Sequence, residues 1–180
     1  MSKITFSERN ENYKILLTKE MSDIILFFKK EFNLEIYLIF GTLLGAIREK
    51  DFIAHDTDID LGYLSKFTSK EEVNKEFDFI CESLKNKNLL KRRRGYKHFD
   101  CISLNKKFYF DIWVSYINIT KNFCLAPFKF SFQENDFLPF RVISFKNKNF
   151  YIPKNSEFVL NKLYKNWATP ILTNFRKFNF

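Results

Sequence analysis

The chain has 180 residues, 46% hydrophobic and 19% aromatic, which argues against disorder and is enough for a single domain, residues 1–180, with a core of its own. Thirty basic against twenty-one acidic residues leave a net charge of +9, which favours anionic partners: nucleotides, phosphorylated glycans, nucleic acid or an anionic membrane surface. Cys81, Cys101 and Cys124 are odd in number and include no CxxC, so neither a zinc site nor a disulfide framework is indicated and a reducing cytoplasm fits best. With no leader-like start and no apolar run of spanning length, export and membrane spanning are not expected.

Taken in chain order, Ser7 to about Phe32 has the apolar spacing of a long helix, with Tyr13, Leu16, Leu17, Met21, Ile24 and Phe28 as its stripe. Residues 34–40, LEIYLIF, form a buried strand that runs into Gly41, and TLLGAIRE then has the look of a short helix. A second amphipathic helix presents Val73, Phe77, Ile80 and Leu84. Its capping box is either Thr68 with Glu71 or Ser69 with Glu72. KRRRGYKHFDCISLN and KFYFDIWVSYI read as two strands around a turn at residues 105–107, and FRVISFKNKNFYI as a strand pair turning at 147–149. Residues 120–155 are otherwise aromatic and irregular, and SEFVLNKLYK, after Pro153, is a last helix. The order predicts an α+β fold, a small mixed sheet flanked by helices.

The segment GTLLGAIREKDFIAHDTDIDLGY, residues 41–63, holds three of the four glycines and places Asp56, Asp58 and Asp60 at every second position. On a strand, alternate side chains share a face about 6.6 Å apart, where two carboxylates repel by roughly 2.5 kcal/mol at an effective dielectric near 20. A hard divalent cation relieves such a comb. The competing reading is a solvated acidic turn, but Phe52, Ile53, Ile59 and Leu61 surround the aspartates with the pattern of a half-buried strand. Further on, Asp111 sits alone among aromatic and β-branched residues, a costly place for an acid unless it is paired or metal-bound.

These residues carry a resemblance. The glycine turn, short helix and DxD strand of residues 41–63 resemble the signature of the LicD/fukutin family, a branch of the nucleotidyltransferase fold. FDIWV resembles the family's later strand with the third carboxylate, and YIPKNSEFVLNKLYKNWATP its closing segment. Departures are Glu49, Asp51, Ala54-His55 and Thr57 in the first motif, and Lys165 and Ala168 in the last. The resemblance implies a transferase that moves a phosphorylated small alcohol, such as phosphocholine or an alditol phosphate, from a CDP-linked donor to a hydroxyl of a cell-surface glycan, either polysaccharide or lipid-linked.

Phosphoryl transfer mainly requires positioning and charge neutralisation. On this reading Asp58, Asp60 and Asp111 hold Mg²⁺ or Mn²⁺, and Asp111 also takes the proton of the acceptor hydroxyl. Gly41 and Thr42 either cradle phosphate at a helix N-terminus or form an ordinary strand-to-helix turn, Arg48 either reaches the donor phosphates or serves the helix dipole, and His55 either touches the donor or is a hydrogen-bonded loop residue. The basic run Lys91 to Arg94 is either a solvated face or a hold for an anionic substrate, and Trp167 either stacks on a base or sugar or caps the core. The expected setting is cytoplasmic, with a charge-driven contact at an anionic inner membrane face. An NTP-using nucleotidyltransferase would need the same acidic triad, and so remains the main alternative. A nucleic-acid-binding module is disfavoured, because the basic residues are scattered and the most distinctive motif is acidic.

Overall fold

The computed structural model describes residues 4–127 and 130–170. After a 3₁₀ turn at Phe6–Glu8, helix α1 runs from Glu11 to Phe32. It therefore starts later than the apolar spacing suggests, because the Asn10 side chain accepts the Tyr13 amide at 2.9 Å and caps the helix there. Asn33, in the left-handed conformation at φ 53°, stops it. Leu17, Met21, Ile24 and Phe28 are buried, whereas Leu16 is exposed.

Strand β1 (Glu35–Leu38) leads into α2 (Phe40–Leu44) and a π-type turn at Gly45–Glu49, followed by β2 (Asp60–Leu64) and α3 (Lys70–Asn86). Of the two capping pairs, Ser69 with Glu72 is the one at the helix start, as an N-cap and not a full capping box: Ser69 Oγ accepts the Glu72 amide at 3.3 Å, and its hydroxyl, not its amide, donates to the Glu72 carboxylate at 2.6 Å. The segment KRRRGYKHFDCISLN is a hairpin rather than one strand, β3 (Leu90–Arg94) and β4 (His98–Ile102), turning where Gly95 takes φ +61°. Then come β5 (Tyr109–Ile117), β6 (Asn122–Leu125), β7 (Phe130–Gln133) and α4 (Glu134–Phe137). The chain closes with β8 (Arg141–Phe145), β9 (Lys148–Ile152) and α5 (Ser156–Leu163).

The sheet is larger than expected, with nine strands among the described residues. Its order is β3-β4-β5-β2-β1-β9-β8, with β6 and β7 branching from β5. The β2–β5 and β1–β9 pairs are parallel and the rest antiparallel, so the sheet is mixed and the fold α+β.

Its two faces differ. One carries Leu38, Leu61, Ile112 and Phe99 in a cross-strand row, covered by α1 and α3, with Phe28 stacked on Phe99 at 6.2 Å and Phe77 edge-on to it at 5.5 Å. On the other face Tyr37 lies against Gly62, where a Cβ would come within 2.4 Å of its ring, and an aromatic group of Phe123, Phe137 and Phe140 packs on that tyrosine. This aromatic cover stops short of the first residues of β2 and β5, and a cleft opens there. No helix among the described residues is long and apolar enough to cross a membrane.

Candidate functional site

The aspartate comb is not one strand. A turn at residues 54–55 closes with the Asp56 amide donating to the Ile53 carbonyl at 2.9 Å, and the Asp56 carboxylate in turn accepts the Thr57 amide at 2.9 Å. Strand β2 begins only at Asp60, so Asp58 reaches the cleft from the loop before it.

The acidic row is built across strands instead. Asp60 of β2 pairs with Asp111 of β5, Asp111 with Asp100 of β4, and Asp100 with Arg92 of β3. Residues in register on neighbouring strands share a face, so these four side chains lie side by side. They line a cleft of about 670 Å³ together with Asp58, His98 and Trp113. The next row holds Gly62, Trp113, His98 and Arg94, with the Trp113 and His98 rings stacked at 4.0 Å.

Asp60 is the electrostatic centre. Only 8% exposed, it accepts the Trp113 indole N–H at 3.0 Å on Oδ1 and the Gly41 amide at 3.3 Å on Oδ2. Burial pushes its carboxyl well above the usual range, and the charges of Asp58, Asp56 and Asp111 push the same way. Among the described residues its hydrogen-bond donors are an amide and an indole, neither of them cationic.

Asp100 is held differently. Its Oδ2 takes Arg92 at 2.8 Å through Nη2 and its Oδ1 takes Arg94 at 3.2 Å, so two guanidiniums compensate one carboxylate. Ligating atoms of His98, Asp100 and Asp111 lie within 4.8 Å of one another and are compatible with a divalent metal. Asp60, beside Asp111 in the same row, has neutral hydrogen-bond donors instead, an amide and an indole. Asp58, Asp60 and Asp111 also present hard carboxylate oxygens to the same cleft. His98 keeps its ring neutral: burial, then the charge of Arg94, lower its pKa to about 4.

Gly41 and Thr42 adjoin Asp60, whereas Arg48 and His55 lie outside the cleft lining. Gly41 is not the residue that turns the chain, since Phe40 takes φ 47° and Gly41 is already helical. What glycine supplies is space, because a Cβ there would stand 2.5 Å from Asp56 Oδ2 and 3.4 Å from Asp60 Oδ2. The Gly41 amide faces the Asp60 carboxylate, and buried Thr42 accepts the Asp60 amide at 2.9 Å, so both help to place Asp60. Arg48 donates to Glu49 and, at 2.8 Å, to the Trp167 carbonyl, and it does not line the cleft. Trp167 bonds Asn161 through its indole at 2.8 Å, so Arg48 and Trp167 together tie down the closing segment. His55 is exposed on its turn, outside the cleft lining.

The basic run divides by strand alternation. Arg92 and Arg94 face the cleft, while Arg93 points to α3 and meets Asp78 at 2.6 Å. Lys91, with its ammonium 3.4 Å over the Tyr109 ring, joins Arg9 and Lys107 at the rim. Sequence reasoning missed His98 and Asp100. The signal was the alternation in HFD, hidden because the whole segment reads as one strand.

The family model described as LicD/FKTN/FKRP, nucleotidyltransferase domain, matches residues 33–155, which span β1 through the start of the last helical segment. The chain belongs to this LicD family. A search of curated proteins found no match. Among solved structures, the chain is similar to the lincosamide antibiotic adenylyltransferase LnuA in its lincomycin-bound form, with TM-score 0.52 and 14% identity over 79% of this chain and 83% of that one. This likeness shows the fold, a nucleotidyltransferase fold with the α+β organisation described above. Family and fold together support a transferase.

Proposed function

We propose that this LicD-family protein moves a phospho-alcohol from a CDP-linked donor to a hydroxyl of a cell-surface glycan and releases CMP. The observation that carries the reading is the pair of in-register aspartates Asp60 and Asp111, joined by Asp58, facing a basic rim across one cleft. Asp58, Asp60 and Asp111 would hold Mg²⁺ or Mn²⁺, which would neutralise charge on the transferred phosphoryl group.

The chain's own residues supply the rest. Asp111, in the middle of the row, takes the proton as the acceptor oxygen attacks the phosphorus distal to cytidine; the bond from that phosphorus to the CMP oxygen breaks and CMP leaves. Arg92 and Arg94, fixed by Asp100, present positive charge to the anionic substrate, and Arg9, Lys91 and Lys107 extend that field to the rim. Trp113, Phe40 and Phe108 wall the cleft with apolar surface that excludes water.

The second reading, transfer from an NTP with release of pyrophosphate, is favoured by the fold likeness to an adenylyltransferase. The leaving group separates the two. Incubation with Mg²⁺, a panel of CDP-alcohols and a candidate glycan should yield CMP. Pyrophosphate from CTP or ATP, with no CMP from any CDP-alcohol, would replace the first reading by the second.

A further inference from the structure

Trp113 occupies an unusual position. It lies on β5 two residues beyond Asp111 and in register with Gly62, which has no side chain, and with His98. Its ring is fixed on two sides, stacked on the His98 imidazole at 4.0 Å with an interplanar angle of 26°, and edge-on to Phe40 at 5.0 Å. Its indole N–H, the one donor of the side chain, points at Asp60 Oδ1 at 3.0 Å, while the Gly41 amide occupies Oδ2 at 3.3 Å. Both oxygens of this buried acid are thus tethered, one from β5 and one from α2.

The chemistry of the two tethers matters. Asp100, two strands away, is held by guanidiniums that cancel its charge. Asp60 is held by neutral donors, which fix the carboxylate plane and leave its charge and remaining lone pairs available. A cationic side chain in place of Trp113 would hold Asp60 equally firmly and remove the reason for a cation to bind.

We infer that Trp113 is a positioning residue that orients the Asp60 carboxylate for a divalent cation through its indole N–H, and that its indole consequently reports cation binding. This rests on Asp60 serving the cation, as proposed above, and not on the identity of the donor. It can therefore fail or hold whichever leaving group is found.

Two measurements test it without turnover. The chain has two tryptophans, so Trp167→Phe leaves Trp113 as the sole indole. In that protein, titration with Mg²⁺ should shift the Trp113 emission with the same midpoint as calorimetric binding. In Trp113→Phe, which keeps a ring against His98 and deletes the N–H, calorimetric Mn²⁺ affinity should fall about tenfold, the effect of losing one hydrogen bond to a charged group. A structural role alone would lower thermal stability and leave the Mn²⁺ affinity where it was. Unchanged Mn²⁺ affinity in a folded Trp113→Phe protein overturns the inference. So does an emission from Trp113 that is silent while calorimetry shows binding, or a wild-type protein that binds neither Mg²⁺ nor Mn²⁺. If Trp113→Phe does not fold, the emission titration decides alone.

Discussion

Replacing Asp60 by asparagine should stabilise the metal-free protein while removing its response to cations. Asp60 and Asp111 are opposed on neighbouring strands, and at the roughly 5 Å that separates such strands two carboxylates repel by about 3 kcal/mol at an effective dielectric of 20. Asparagine removes that repulsion, but its amide offers one acceptor oxygen where the carboxylate offers two. It can satisfy the Trp113 indole or the Gly41 amide and not both, which costs about 1 kcal/mol. The net gain is about 2 kcal/mol, or roughly 4–8 °C in Tm for a chain of this length. Wild-type protein should make a similar gain only when a cation is supplied, since a ligand at a hundredfold its Kd contributes about 2.7 kcal/mol. Thermal unfolding followed by circular dichroism, in EDTA and in excess Mg²⁺, should therefore show Asp60→Asn melting above wild type in EDTA and unmoved by Mg²⁺. The sign of the pH dependence follows from the raised carboxyl. Wild type loses stability as pH rises from the ordinary carboxylate range through the folded pKa of Asp60, so the variant's advantage should shrink on acidification, where Asp60 carries its proton. If Asp60→Asn melts below wild type in EDTA at neutral pH, Asp60 is not the strained acid described here.

Gly41→Ala should leave global stability within about 1 kcal/mol, because alanine favours the helix, yet weaken Mn²⁺ binding, because its Cβ displaces the Asp56 carboxylate 2.5 Å away; calorimetry against urea unfolding separates the two effects. His98 resists protonation in the fold, with a pKa near 4, and the unfolded chain takes its proton near 6.5. Wild-type stability should accordingly fall between those pH values, and His98→Gln should flatten that part of the urea-unfolding profile. Contact with a membrane, if it depends on the +9 charge, should appear as flotation with anionic liposomes at low salt and vanish at high salt; binding that survives high salt would point to hydrophobic insertion.

The legible parts of the molecule were those where local chemistry and tertiary packing agree. The α3 helix carries its N-cap and apolar face in one continuous stretch, and Asp111 stands out because an acid between Phe110 and Ile112 needs a reason. The hairpin of β3 and β4 was not legible, because one glycine amid five lysines and arginines gives a weak turn signal, and without the turn Asp100 and His98 could not be placed beside Asp111. The comb misled in a different way. Its two-residue period suggests a strand, yet Asp56 engages the next amide and makes the segment a turn, a competition between side-chain and ladder hydrogen bonds that periodicity does not register. Arg48 has the right charge near the right motif, and only the fold shows that its partners are Glu49 and the Trp167 carbonyl.

The acidic row itself follows from the opposite face of the sheet. Asp60, Asp111 and Asp100 come from three separate stretches, and nothing in their mutual chemistry would bring them together, since they repel. Each is followed or preceded by an apolar residue, Leu61, Ile112 and Phe99, and these three pair in one register beneath α1 and α3. A slip of one residue in any strand would turn its aspartate into the core and its apolar partner into the cleft. Burial of one leucine, isoleucine or phenylalanine contributes about 1.5–3 kcal/mol, and a misplaced buried charge costs several more, so the correct register wins by a margin larger than the repulsion of about 3 kcal/mol that it imposes on Asp60 and Asp111. The hydrophobic face thus holds the carboxylates in an arrangement that they would not choose, and under the proposed function the repulsion held there is what would draw a divalent cation to the cleft.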